Sequence, residues 1–153
     1  MDPRLDIFEP GDLTAMICLD TPEMQRIAIE QLGEIGYKVH SGFSLDDILT
    51  KLRAQHYDLL LISERFEECN SFDDNIVLQH AINAPSLQRH KQFVVLVGSF
   101  ATNDELQAFE RSVDLVVAQA DFIHLKPLLR RGLSRMQEFY APYNEVHQAI
   151  ERV

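Results

Sequence analysis

The sequence predicts an α/β fold: a doubly wound, five-stranded parallel sheet of order 2-1-3-4-5 in a (βα)5 succession, with an extended C-terminal helix. Three observations carry the prediction. Short continuous apolar runs recur along the chain, as strands buried on both faces require. Each run is followed by a segment whose apolar residues keep the helical period. The junctions hold Gly, Pro, Ser, Thr and Asp where helices begin and end.

Residues 1–12 carry Pro3, Pro10 and Gly11 among acidic residues, show neither period, and read as a lead-in or linker. The folded domain is expected over 13–140, with a helical extension over 141–153. Ala15-Met16-Ile17-Cys18-Leu19 is the first strand. Thr21 caps the helix that follows, and Pro22 takes its first position, where a missing N–H costs nothing. Met24, Ile27, Ala28, Leu32 and Ile35 line one face, and Gly36 ends the helix in a left-handed conformation. Tyr37 to His40 is the second strand. Ser44 then caps a helix through Arg53, with Asp47 at the capping-box position.

Tyr57 to Ile62 is the third strand. Asp73 or Asp74 caps a helix to about Asn83, and Pro85 stops it. Phe93 to Val97 is the fourth strand and the most strongly patterned segment. Thr102 or Asn103 opens a helix to about Arg111, and Val113 to Ala118 is the fifth strand. Helical spacing then fills Phe122 to Val153. Beyond this alternation there is no internal repeat and no low-complexity tract.

Composition narrows the function classes. A chain of 153 residues is one domain with a real core, and 46% hydrophobic against 25% charged residues excludes a disordered chain. The net charge of −10 repels nucleic acid, whose phosphates need basic contacts. Cys18 and Cys69 make no disulfide framework, which points to a reducing cytoplasm. No apolar run approaches the roughly eighteen residues of a membrane span, and Met1-Asp2-Pro3-Arg4 does not open a signal peptide. The expectation is a soluble cytoplasmic protein without membrane or nucleic-acid contact.

The run His56-Tyr57-Asp58-Leu59-Leu60-Leu61-Ile62-Ser63 resembles the signature "DLVLLD" that ends a buried strand in bacterial receivers. Together with element order and spacing, it makes the chain from about Thr14 to Tyr140 resemble a response-regulator receiver domain, a flavodoxin-like fold. Receivers bind Mg²⁺ through an acidic pair after the first strand and a phosphoacceptor aspartate after the third. Magnesium requires several hard oxygens in near-octahedral array. Here the pair is reduced to Leu19-Asp20, and the acceptor position holds Ser63, which cannot form an acyl phosphate. The hydroxyl expected after the fourth strand meets Gly98-Ser99, surviving only if the register slips by one. The lysine expected after the fifth strand falls at Ala118 or Gln119. The resemblance thus implies a receiver that has lost its phosphorylation site. Asp20 reads first as a loop carboxylate capping the helix near Thr21, and Ser63 as a small polar residue ending a strand.

A rival register takes Lys126-Pro127 for the receiver's Lys-Pro pair, with Asp121 to Leu125 as the fifth strand. The run Val113-Asp114-Leu115-Val116-Val117 has the stronger strand character and is preferred. His40, His56, His80, His90, His124 and His147 are scattered, with no metal-ligand spacing and no C-x-x-C, so no metal is expected. Leu19-Asp20-Thr21-Pro22-Glu23 lacks a Gly-rich dinucleotide turn, and no Walker A sequence is present. No cofactor and no catalytic residue are expected.

The last helical region holds a heptad-like seam of Leu129, Leu133, Met136, Tyr140, Tyr143, His147 and Ile150. Pro142 interrupts it, at about 3 kcal/mol if kept inside a continuous helix. Leu133, Met136, Tyr140, Tyr143 and Ile150 are therefore candidate interface residues, for a homodimer or for a neighbouring domain of a longer protein. Lys126, Arg130, Arg131 and Arg135 lie beside the seam, as a solvated helix face or a surface for an acidic partner. The leading expectation is a pseudo-receiver in bacterial two-component signalling that acts by protein–protein contact. The alternative is a small flavodoxin-like enzyme or ligand-binding domain using Asp20, Ser63 and Ser99, with Glu64 if it turns inward.

Overall fold

The computed structural model describes residues 11–42, 44–64, 66, 75–84, 91–99 and 101–136. Its strands are β1 (Leu13–Cys18), β2 (Tyr37–Ser41), β3 (Leu59–Ser63), β4 (Phe93–Gly98) and β5 (Leu115–Ala118). They form one parallel sheet in the order β2-β1-β3-β4-β5, as predicted. The helices are α1 (Pro22–Glu34), α2 (Leu45–Ala54), α3 (Ile76–Ile82), α4 (Glu105–Glu110) and α5 (125–136).

The period of two along each strand sorts the core into two layers. Ala15, Ile17, Leu59, Leu61, Val95 and Val97 face one side, where Ala28 and Leu32 of α1 and Leu125 and Leu129 of α5 cover them. Met16, Cys18, Leu60, Ile62, Val94 and Leu96 face the other, under Ile48, Leu52, Val77, Leu78 and Ala81. This two-sided burial is why the strands read as unbroken apolar runs. Burial also pushes the Cys18 thiol far up from its ordinary range.

Several capping expectations hold atom by atom. The Thr21 hydroxyl accepts from Met24 N at 3.2 Å, and the Ser44 hydroxyl accepts from Asp47 N at 3.2 Å. The Asp47 carboxylate reaches forward to Lys51 at 3.3 Å. Gly36 has φ of 95°, the left-handed conformation that ends α1.

Other expectations are corrected. The cap of α3 is Asn75, whose Oδ1 accepts from Leu78 N at 3.1 Å; Asp73 and Asp74 lie outside the described residues. The cap of α4 is Asp104, not Thr102 or Asn103. Asn103 sits at φ of 64°, which no helix start uses, and the Thr102 hydroxyl is engaged elsewhere. It accepts from Ala118 N at 2.8 Å and donates to Asp121 Oδ2 at 2.5 Å. The fifth strand begins at Leu115 rather than Val113, and a 3-10 helix, Gln119–His124, precedes α5. Asp121 to Leu125 is therefore not a strand. Lys126 binds Glu34 of α1 at 2.6 Å, so the Lys126-Pro127 register is overturned.

A repeated pair, Asp-Leu, stands at the entrance of β1, β3 and β5 as Asp12-Leu13, Asp58-Leu59 and Asp114-Leu115. Asp58 Oδ2 accepts from Thr14 N at 3.0 Å, and Asp114 Oδ2 accepts from Val94 N at 2.8 Å. Each carboxylate satisfies a strand-initial N–H of the neighbouring strand, which the parallel ladder leaves without a partner. Asp12 pairs with Lys38 of β2 at 2.9 Å. Among the described residues no helix is long and apolar enough to cross a membrane.

Asp58→Ala and Asp114→Ala should each lower the unfolding free energy by about 1–3 kcal/mol, because each strands a backbone donor at a buried strand start. Urea unfolding followed by circular dichroism measures this. A loss as small as that of an ordinary surface substitution would reject the strand-entry role.

Candidate functional site

The parallel register aligns Cys18 with Ile62, Ser63 with Val97, and Gly98 with Ala118. All strands end along one edge, so the residues that follow them converge there. A small cavity of about 90 Å³ lies at this edge, lined by Asp20, Met24, Ser63, Glu64, Val97, Gly98, Ser99 and Gln119. Of the six residues predicted from the receiver resemblance, Asp20, Ser63, Gly98, Ser99 and Gln119 line it. Ala118 pairs with Gly98 beside it, its N–H taken by Thr102.

Asp20 is exposed on the loop after β1 and does not cap α1, since Thr21 does. Its neighbour Leu19 is a core residue, 3% exposed, in the layer under α1 and α5. Ser63 is 2% exposed. The Asn75 side chain holds the chain here: its Nδ2 donates to Ser63 O at 2.9 Å and to Glu64 O at 3.1 Å. Glu64 N donates to Val97 O at 2.7 Å, extending the β3–β4 ladder one step beyond β3. The Ser63 hydroxyl oxygen itself has no hydrogen-bond partner among the described residues.

Glu64 turns inward. Its Oε1 is 3.5 Å from Ser99 N, and its side chain lies directly over Gly98. A Cβ on Gly98 would stand 2.7 Å from Glu64 Cβ and 2.8 Å from Glu64 Oε1. Glycine is thus required at the end of β4 for the Glu64 carboxylate to reach the edge. Sequence reasoning foresaw Glu64 only conditionally and missed Asn75 and Met24. Asparagine immediately before an apolar helical run was a legible N-cap signal; its second task, holding the end of β3, was not.

Leu133 and Met136 are half-buried and pack against the core layer of α1 and α5. Tyr140, Tyr143 and Ile150 lie outside the described residues. Of the basic cluster, Lys126 is paired with Glu34 and Arg135 with Glu105 at 3.8 Å, while Arg130 and Arg131 are exposed.

No protein-family model and no curated protein matches the sequence. Solved structures do match in fold. The chemotaxis response regulator CheY4 of Vibrio cholerae has a TM-score of 0.61 at 11% identity, covering 82% of this chain and 99% of that one. The signal receiver domain of an HD domain-containing protein from Pseudomonas fluorescens has 0.60 at 11% identity, covering 88% and 96%. A response regulator from Thermotoga maritima has 0.59 at 14% identity, covering 80% and 98%. The fold is that of receiver domains, with the cavity at the strands' C-terminal edge.

Gly98→Ala should destabilise the protein by about 1–3 kcal/mol through overpacking against Glu64. Combining it with Glu64→Ala should recover part of that loss, since the Oε1 and Cδ contacts are removed while the Cβ contact remains. Additive losses in a double-mutant cycle would show that the two residues do not meet.

Proposed function

We propose that this chain is a phosphorylation-independent receiver-like module of bacterial signal transduction, acting by protein–protein contact. One observation carries the reading. At the end of β3, where the resemblance calls for an acceptor aspartate, stands the buried Ser63, and the adjoining acid-pair position is the core residue Leu19. A serine hydroxyl cannot form the acyl phosphate, and a leucine inside an apolar layer contributes no metal oxygen. Among the described residues no three His, Cys, Asp or Glu side chains come together to hold a metal ion.

The cavity's size also weighs against the enzyme alternative. About 90 Å³ is well below the roughly 300–1,000 Å³ of sites that enclose organic ligands. Contact surface is available elsewhere. Leu106 and Phe109 of α4 are 65% and 82% exposed, beside a groove of about 380 Å³ lined by Phe93, Ala108, Val113, Leu115 and Met136. Apolar side chains held out into water beside a groove fit a docking face for a second copy or a neighbouring domain.

The protein should remain unmodified when incubated with acetyl phosphate and Mg²⁺, as read by intact mass. Ser63→Asp alone should also remain unmodified, because neither the second metal carboxylate nor the lysine is present. Leu19→Asp should lower stability by about 3 kcal/mol, since its carboxylate enters the apolar layer. A stoichiometric, acid-labile phosphoryl adduct on the unaltered chain would overturn the reading.

Phe109→Ser should leave the melting temperature nearly unchanged and weaken self-association in sedimentation runs over a range of concentrations. A mass that rises equally with concentration in both proteins would remove α4 from the contact.

A further inference from the structure

The unused chemistry of the strand-edge cavity is that of an acceptor site. The Ser63 hydroxyl is buried, lines the cavity, and meets no protein hydrogen-bond partner among the described residues. A buried polar atom in that state costs free energy until a ligand or solvent group completes it. Around it stand the Glu64 and Asp20 carboxylates and the Gln119 amide, and no described lining residue carries a positive charge. Each carboxylate oxygen can accept more than one hydrogen bond, so contacts already made to Asp20 and Glu64, such as that from Ser99 N to Glu64, leave capacity.

The ligand that matches this set is a compact cation with several N–H donors. We propose that the cavity receives the ε-ammonium of a lysine presented by a protein partner, a deepening of the contact-module reading on which it rests. An ammonium brings three donors in tetrahedral array, suited to one hydroxyl, one carboxylate and one amide oxygen. The cavity of about 90 Å³ admits such a head group, and Met24 and Val97 on its wall suit the methylene stem. A magnesium ion is a poorer match. It retains several waters and seeks carboxylate oxygens in near-octahedral array, whereas the innermost group here is an uncharged hydroxyl. The chain's net charge of −10 draws a lysine-bearing partner toward the site.

The test is an amide NMR titration of the full chain with n-butylammonium chloride, the lysine side chain without its backbone. Tetramethylammonium chloride and magnesium chloride serve as comparisons at matched ionic strength. Saturable shifts at the amides of Ser63, Glu64 and Ser99 are expected, with a Kd of about 1–50 mM for a ligand of five heavy atoms. Glu64→Gln and Ser63→Ala should each weaken binding, the former by about tenfold, because a charge-assisted hydrogen bond is lost. Asp20→Asn, on an exposed loop, tests the site again should either of those variants fail to fold, and should weaken binding severalfold. Three results overturn the proposal: no saturable shift; equal shifts with tetramethylammonium, which has no N–H; or tighter saturation by magnesium at the same amides. A failed titration on a chain that stays unphosphorylated removes the lysine and leaves the contact module, whereas a phosphoryl adduct removes the reading beneath both.

Discussion

Burial of a parallel sheet on both faces is the constraint from which the other features follow. With α1 and α5 on one side and the remaining helices on the other, nearly every strand side chain must be apolar. Polar chemistry is expelled to the two edges where strands begin and end. At the entering edge it is structural: Asp58 and Asp114 accept strand-initial N–H groups that the ladder cannot serve. At the leaving edge it is concentrated in one cavity.

The lining of that cavity is set by the same two-sided burial. Leu19 belongs to the apolar layer, while the buried Ser63 and the Gln119 amide line the cavity. The carboxylate that does reach the edge comes from Glu64, one residue later, and it does so only because Gly98 has no Cβ. Asn75 holds the backbone beneath both residues, which also ties the end of β3 to the start of α3. A carboxylate held this way presents hydrogen-bond acceptors at the cavity edge.

Loop chemistry is equally committed. Thr102 spans from the loop after β4 to the end of β5, accepting from Ala118 N and donating to Asp121. Gln31 joins α1 to the junction before α5, donating to Ile123 O at 2.7 Å and accepting from Lys126 N at 2.7 Å. Both side chains occupy backbone groups at the turn from the sheet into α5. They hold the α4–β5–α5 side, with its exposed Leu106 and Phe109, in a defined relation to the rest of the fold.

The fold was legible in the sequence because its signals are local. Apolar runs, helical periods, Thr21 with Pro22, Ser44 and Gly36 each act within one turn of their own position, and a parallel sheet covered on both faces follows from their alternation. Five of the six predicted edge residues line the cavity because a parallel sheet must bring its strand ends together. What the sequence alone could not decide depends on partners far along the chain. Thr102 has the chemistry of a helix start but spends its hydroxyl on Ala118 and Asp121. Lys126 stands before a proline as a site lysine would, but it pairs with Glu34 of α1. Glu64 could have faced solvent, and only the missing Cβ of Gly98, more than thirty residues away, lets it lie along the edge. Local periodicity determines which elements form; long-range packing determines which polar group each edge residue finally meets.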